Sequence, residues 1–158
     1  MRALKDYQKK QESVGKISAA LSAKPEKIAE AVEHLQEQQQ NLRDQLNRIQ
    51  TLYLQEKLSK ICPEDTYVCI FEETLDSIAM RNFVNAAMEQ CDGICGAFIG
   101  KEEQGYHYIL GSKKLDMREV SKKLNKCFHG KGGGKPQMVQ GSLVGSEEEI
   151  RSMLADMA

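Results

Sequence analysis

The 158-residue chain has no tryptophan, and its phenylalanine and tyrosine together make up only 6% of it. With 41% hydrophobic residues and a mean hydropathy of −0.52, it has material for a modest core and for a long solvated helix. No apolar run approaches the roughly 20 residues that a helix needs to cross a bilayer. The opening Met1-Arg2-Ala3-Leu4-Lys5-Asp6 lacks the apolar stretch of a signal peptide. The five cysteines, at 62, 69, 91, 95 and 127, are odd in number and irregularly spaced. That argues against a disulfide framework and for reduced thiols in a cytoplasmic protein with no membrane association. Catalytic spacing is also missing. His34, His107 and His129 fall on different predicted elements, and Cys91 and Cys95 do not form a Cys-x-x-Cys pair. A phosphate-binding P-loop fails as well, because Lys135 is followed by Pro136 and a strand rather than by Ser/Thr and a helix.

What the chain does have is a glycine-rich stretch, Gly130-Lys131-Gly132-Gly133-Gly134-Lys135-Pro136-Gln137-Met138-Val139-Gln140-Gly141. Without a Cβ, consecutive glycines can bring backbone N–H groups together in a concave nest for an anion, and the flanking lysines add charge. The charge along the chain is uneven. Residues 61–112 carry two Lys/Arg against nine Asp/Glu, whereas residues 113–135 carry eight against two. Lys113, Lys114, Lys122, Lys123 and Lys126 lie on or before one predicted helix, with Lys122 and Lys126 on the same face. Lys131 and Lys135 would continue that stripe onto the glycine loop. A local basic patch on a near-neutral protein suits a nucleic-acid backbone; the plainer reading is a solvated lysine-rich helix. His129, just before the loop, either touches a phosphate or base or caps the preceding helix. Tyr106 and Tyr108 alternate around His107 on a strand and are expected to pack rather than to stack on bases.

Hydrophobic periodicity divides the chain into a helical arm, residues 1–61, and a small α/β domain, residues 62–158. Leu4, Tyr7, Val14, Ile17 and Leu21 mark a first helix. Arg2-Ala3-Leu4 enters it without a capping residue, as a helix continuing from a longer chain would. Pro25 and Glu26 open a second helix to about residue 60, roughly 54 Å at 1.5 Å per residue. Along it Ile28, Leu35, Leu42 and Ile49 recur every seventh residue, as do Val32, Gln39, Leu46 and Tyr53 offset by four. This is a coiled-coil seam with one polar break at Gln39, to be covered by the first helix or by a second chain. Past the linker Cys62–Asp65, the pattern reads as strand Thr66–Phe71 and helix Leu75–Gln90, with Ile78, Phe83, Ala86 and Ala87 inward. Strands Ile94–Ile99 and Tyr106–Gly111 follow, then helix Asp116–Phe128, strand Gln137–Leu143 and a last helix from Ser146. Ser146 and Glu149 form a capping box at its start. The expected fold is α/β (α+β), a long helical hairpin or coiled-coil arm followed by a small mixed sheet covered by helices.

Residues 132–141 resemble the glycine-rich signature that closes the C-terminal domain of alanyl-tRNA synthetases and of long free-standing alanyl-tRNA editing proteins. Lys135 stands where that signature has arginine, and Val139 where it has alanine. The pattern-level likeness extends over nearly the whole chain and includes a domain of the type that accompanies DHH phosphoesterases. The resemblance implies a non-catalytic module that binds tRNA, alanine tRNA in the first place, near the outer corner of the L, and the heptad seam adds the expectation of a homodimer through the arm. Together with the basic stripe and the glycine loop, the resemblance gives candidate nucleic-acid contacts at Lys113, Lys114, Lys122, Lys123, Lys126, His129, Lys131, Gly132, Gly133, Gly134, Lys135 and Gln140. It implies no cofactor in this chain, with zinc only in an editing part elsewhere in a parent protein, since His-x-x-x-His, Cys-x-x-x-His and Asp-His-His do not occur here. The parent would be a ligase or an editing hydrolase, and the opening Arg2-Ala3-Leu4-Lys5-Asp6-Tyr7 leans toward the latter. Two other readings are a structural dimerisation module without RNA affinity and an accessory part of an aminoacyl-tRNA or phosphoester hydrolase.

Overall fold

The computed structural model describes residues 2–158, with side chains from Leu4 onward. Met1 and the Arg2 and Ala3 side chains of the opening motif lie outside the described residues. The chain divides into two units, one ending at Ile49 and one running from Gln50 to Ala158.

The first unit is helical. Helix α1 (Arg2–Leu21) ends where Ser22 takes a left-handed φ of 50° and the Ala23 N–H reaches back to the Ser18 carbonyl at 3.0 Å. Pro25–Lys27 form a short 3-10 turn, with proline at the first position where its missing N–H costs nothing, and lead into α2 (Ile28–Leu58). The heptad seam is present but uncovered by α1: Leu35, Leu42, Leu46 and Ile49 are each more than half exposed. Leu4, Tyr7, Val14 and Ile17 on α1 are exposed too.

In the second unit the last turns of α2 fold with a five-stranded mixed sheet. Strands β1 (Tyr67–Glu72) and β2 (Ile94–Lys101) are parallel and joined by α3 (Ser77–Gln90). Strands β3 (Gly105–Gly111), β4 (Lys131–Lys135) and β5 (Met138–Leu143) complete it, antiparallel, in the order β1-β2-β3-β5-β4. Helix α4 (Met117–Cys127) joins β3 to β4, and α5 (Glu147–Ala155) follows β5. Caps set the helix starts: Asp76 and Asp116 accept backbone N–H bonds, and the Ser146–Glu149 capping box forms as its spacing predicts.

Because side chains alternate across a strand, the sheet has two different faces. On one, Phe98, Tyr106, Tyr108, Leu110, Val139 and Leu143 pack under α4 and α5. On the other, Ile70, Cys95, Ala97 and Ile109 pack under α3 and Leu54 of α2. Two expectations change here. Ile78 is 72% exposed, because it lies two residues before Met80 on a helix that turns about 100° per residue; the buried stripe is Met80, Phe83, Val84 and Ala87. Tyr53, the last seam position, is half-buried and donates to the Glu72 carboxylate of β1. All five cysteines are free thiols, and burial pushes Cys69 up to about 12 and Cys95 higher still.

Candidate nucleic-acid interface

The glycine stretch is not a loop. Lys131–Lys135 is an edge strand, and Pro136-Gln137 form the two-residue turn to β5. None of Gly130, Gly132, Gly133 and Gly134 has a positive φ, so successive amides point alternately to either side and the expected anion nest does not form. The glycines serve close approach instead. A Cβ on Gly132 would lie 2.6 Å from the Tyr108 hydroxyl, and one on the paired Gly141 2.7 Å from the Tyr108 ring. That hydroxyl is hydrogen-bonded to Ser121 at 2.8 Å and donates to Asn125 at 3.0 Å, so it ties α4 to the underside of β4 and β5. Gly133 differs, since a Cβ there would meet nothing within 4 Å. Its bare side belongs to the opposite, open face of the sheet.

That open face collects the chemistry. Register places His107, Ser142 and Lys131 in one row across β3, β5 and β4, and Ile109, Gln140 and Gly133 in the next. Lys135 follows beside Met138. Arg81 reaches over from α3 and donates to the Gln140 side-chain oxygen at 2.9 Å. Arg81, His107, Ile109, Lys131, Gln140 and Ser142, together with Ser77, Ile78 and Met80, border a cleft of about 480 Å³. A second hollow of about 340 Å³ shares His107, Lys131 and Ser142 with it and extends to His129 and Val144. None of Arg81, Lys131 and Lys135 has an acidic partner among the described residues. The exposed Ile78 and the floor residue Ile109 put apolar surface beside these cations.

His129 follows α4 with a left-handed φ of 49°, and the Gly130 N–H then bonds the Asn125 carbonyl at 2.9 Å. This is the geometry of a helix-terminating motif in which glycine is the usual occupant. A histidine there carries backbone strain that glycine would not, and the residue borders the second hollow. The capping geometry and a place at the second hollow thus coincide in one residue.

The remaining lysines are elsewhere. Helix α4 packs on the face opposite the cleft, so Lys122, Lys123 and Lys126 do not continue into Lys131 and Lys135 as one stripe. Lys122 pairs with Glu119, and Lys113 and Lys114 pair with Glu89 and Asp92. At the N-cap of α4, the Arg118 side chain holds the Asp116 carboxyl down to about 2. The structure therefore brings Lys131 and Gln140 together at the cleft and adds Arg81, His107 and Ser142, sets His129 at the adjoining hollow, and leaves Gly133 and Lys135 farther along the same face of β4. Strand alternation held the signal for His107, which lies between two buried tyrosines; Arg81 had none, being a lone arginine on a helix. Among the described residues, no three metal-ligating side chains converge.

Residues 64–158 match the model of the DHHA1 domain, and the chain belongs to that family. Among solved structures it is similar to the C-Ala domain of Aquifex aeolicus alanyl-tRNA synthetase, with a TM-score of 0.50 and 20% identity over 62% of this chain and 95% of that one. It is also similar to the manganese complex of RecJ from Thermus thermophilus, with a TM-score of 0.55 and 14% identity over 88% of this chain. A second manganese-bound RecJ exonuclease gives a TM-score of 0.52 at 14% identity over 87% of this chain. The chain spans 22% and 36% of those two RecJ chains. At these identities the likeness is one of fold. No curated protein sequence matches the chain. No helix among the described residues is long and apolar enough to cross a membrane.

Proposed function

We propose that the chain is a non-catalytic nucleic-acid-binding module that grips folded tRNA, alanine tRNA first, through the open sheet face, and that it dimerises through the α2 seam. The observation that carries this reading is a cleft lined by Arg81, Lys131, His107 and Gln140, with Lys135 on the same face of the glycine strand, His129 at the adjoining hollow, and no acidic partner to the three cations among the described residues. Phosphates suit the cations, and an uncluttered backbone suits a sugar or base edge lying flat against it. Folded RNA is read mainly by shape and backbone, so no array of stacking aromatics is required. The C-Ala likeness favours tRNA as the folded RNA in question. Zinc and hydrolytic chemistry belong, in this reading, to other parts of a longer parent.

Charge reversal on each face separates this reading from a general basic patch. Lys131→Glu with Lys135→Glu is expected to weaken binding of alanine tRNA at least tenfold. Lys122→Glu, Lys123→Glu and Lys126→Glu on α4 together are expected to cost less than threefold. Loss confined to the α4 variant would move the interface to the other side of the domain. Deacylation of mischarged tRNA by the purified chain would overturn the non-catalytic part.

A further inference from the structure

A cavity of about 610 Å³ lies at the other edge of the sheet, away from the glycine strand. It runs along β1 between the end of α2 and helix α5, and nothing in the nucleic-acid reading uses it. The Thr66 carbonyl bonds the Ile94 N–H of β2 at 2.9 Å, so by alternation the backbone groups of Tyr67, Cys69 and Phe71 point outward from the sheet. Such a row of unpaired donors and acceptors is a template for another strand. The sequence of β1, Tyr-Val-Cys-Ile-Phe-Glu, has no proline, glycine or lysine to discourage pairing, and its β-branched and aromatic residues favour it. The opposite edge differs, because β4 is mostly glycine and has a lysine at each end.

One side chain occupies the β1 edge. Arg151 of α5 donates from Nη1 to the Cys69 carbonyl at 3.1 Å, in the middle of the outward row. Its guanidinium lies 4.6 Å from the centre of the Phe71 ring, and Nε is held by the Glu147 carboxylate at 2.7 Å. A charge fixed across an edge strand must be displaced and resolvated before a new strand can pair there. We propose that Arg151 is an edge guard that prevents β1 from pairing with β1 of a second copy. The copies would meet antiparallel about Cys69, Tyr67 of one opposite Phe71 of the other, an isologous contact closed at two chains. In that orientation the outward residues Tyr67, Cys69 and Phe71 of both copies face one another and exchange both backbone hydrogen bonds, as antiparallel pairs do. Parallel pairing has slanted bonds that run to the neighbours of the residue opposite, so two identical outward rows could meet only with a one-residue stagger, which breaks the two-fold relation.

The test compares the full chain with Arg151→Ala and Glu147→Gln by sedimentation over a micromolar concentration series under reducing conditions, alongside amide hydrogen exchange. Association through the arm is common to all three and cancels in the comparison. Arg151→Ala is expected to associate at least tenfold more tightly than the parent and to gain protection at the Tyr67, Cys69 and Phe71 amides. Adding Tyr67→Pro, which removes an outward N–H at the first strand position, should reverse both effects. Glu147→Gln, which frees the arginine without changing its size, should shift association in the same direction by a smaller factor; it serves as the deciding variant if Arg151→Ala does not fold. Unchanged sedimentation and exchange in the folded variants would overturn the guard, as would extra association that survives Tyr67→Pro.

Discussion

At the scale of single residues, the glycines of one strand have opposite duties. Gly132 is small because Tyr108 and the backbone of β5 lie against it, whereas Gly133 faces open space on the other side of the sheet. Gly132→Ala is therefore expected to destabilise the fold by about 1–3 kcal/mol, as overpacking does, in a denaturant titration. Gly133→Ala, at a position without positive φ, is expected to leave stability unchanged or raise it by about 0.4–1 kcal/mol while weakening tRNA binding. A Gly133→Ala variant that binds at full strength would remove the strand from the interface. This division was illegible in the sequence, where the glycines form one uninterrupted run. Only the pairing of Gly132 with Gly141, and of both with Tyr108, distinguishes them.

At the scale of elements, periodicity served well where burial is one-sided. Helices α3, α4 and α5 and strands β1, β2, β3 and β5 lie where apolar spacing and caps place them, since each has a clear inner face. Strand β4 was missed because glycine contributes no side-chain pattern and disfavours strands intrinsically; its pairing comes from the hairpin with β5. The lysine stripe failed for a related reason, because helical spacing orders Lys122 and Lys126 on α4 but carries no information about which sheet face the next strand presents. The α2 seam was legible, and its exposure over Leu35–Ile49 leaves room for a second copy. A parallel, in-register pair stacks the two Gln39 side chains in one polar layer, which favours that orientation over one burying each against an apolar residue. Leu42→Glu, on an exposed position, is expected to weaken dimerisation at least tenfold in sedimentation equilibrium without changing the melting transition. A dimer as tight as the parent's would place self-association elsewhere.

At the scale of the whole molecule, the fold class was readable from the chain, and so was the segment that supplies Lys131 and Lys135, but not the sheet face on which they lie. Much of the basic segment 113–135 is engaged in local ion pairs or lies on α4, while the cleft draws on Arg81 from the otherwise acidic stretch before it. Net charge by segment located the region but could not assign the side. The most direct measurement of the central claim is the affinity of the full chain for folded alanine tRNA across a salt series, against duplex DNA as reference. With Arg81, Lys131 and Lys135 each neutralising a phosphate, log K should fall by about 2–3 per tenfold rise in salt, and by about 1.4–1.8 less in the Lys131→Glu/Lys135→Glu variant. Binding that ignores salt, or a slope left intact by that variant, would contradict a phosphate grip on the open sheet face.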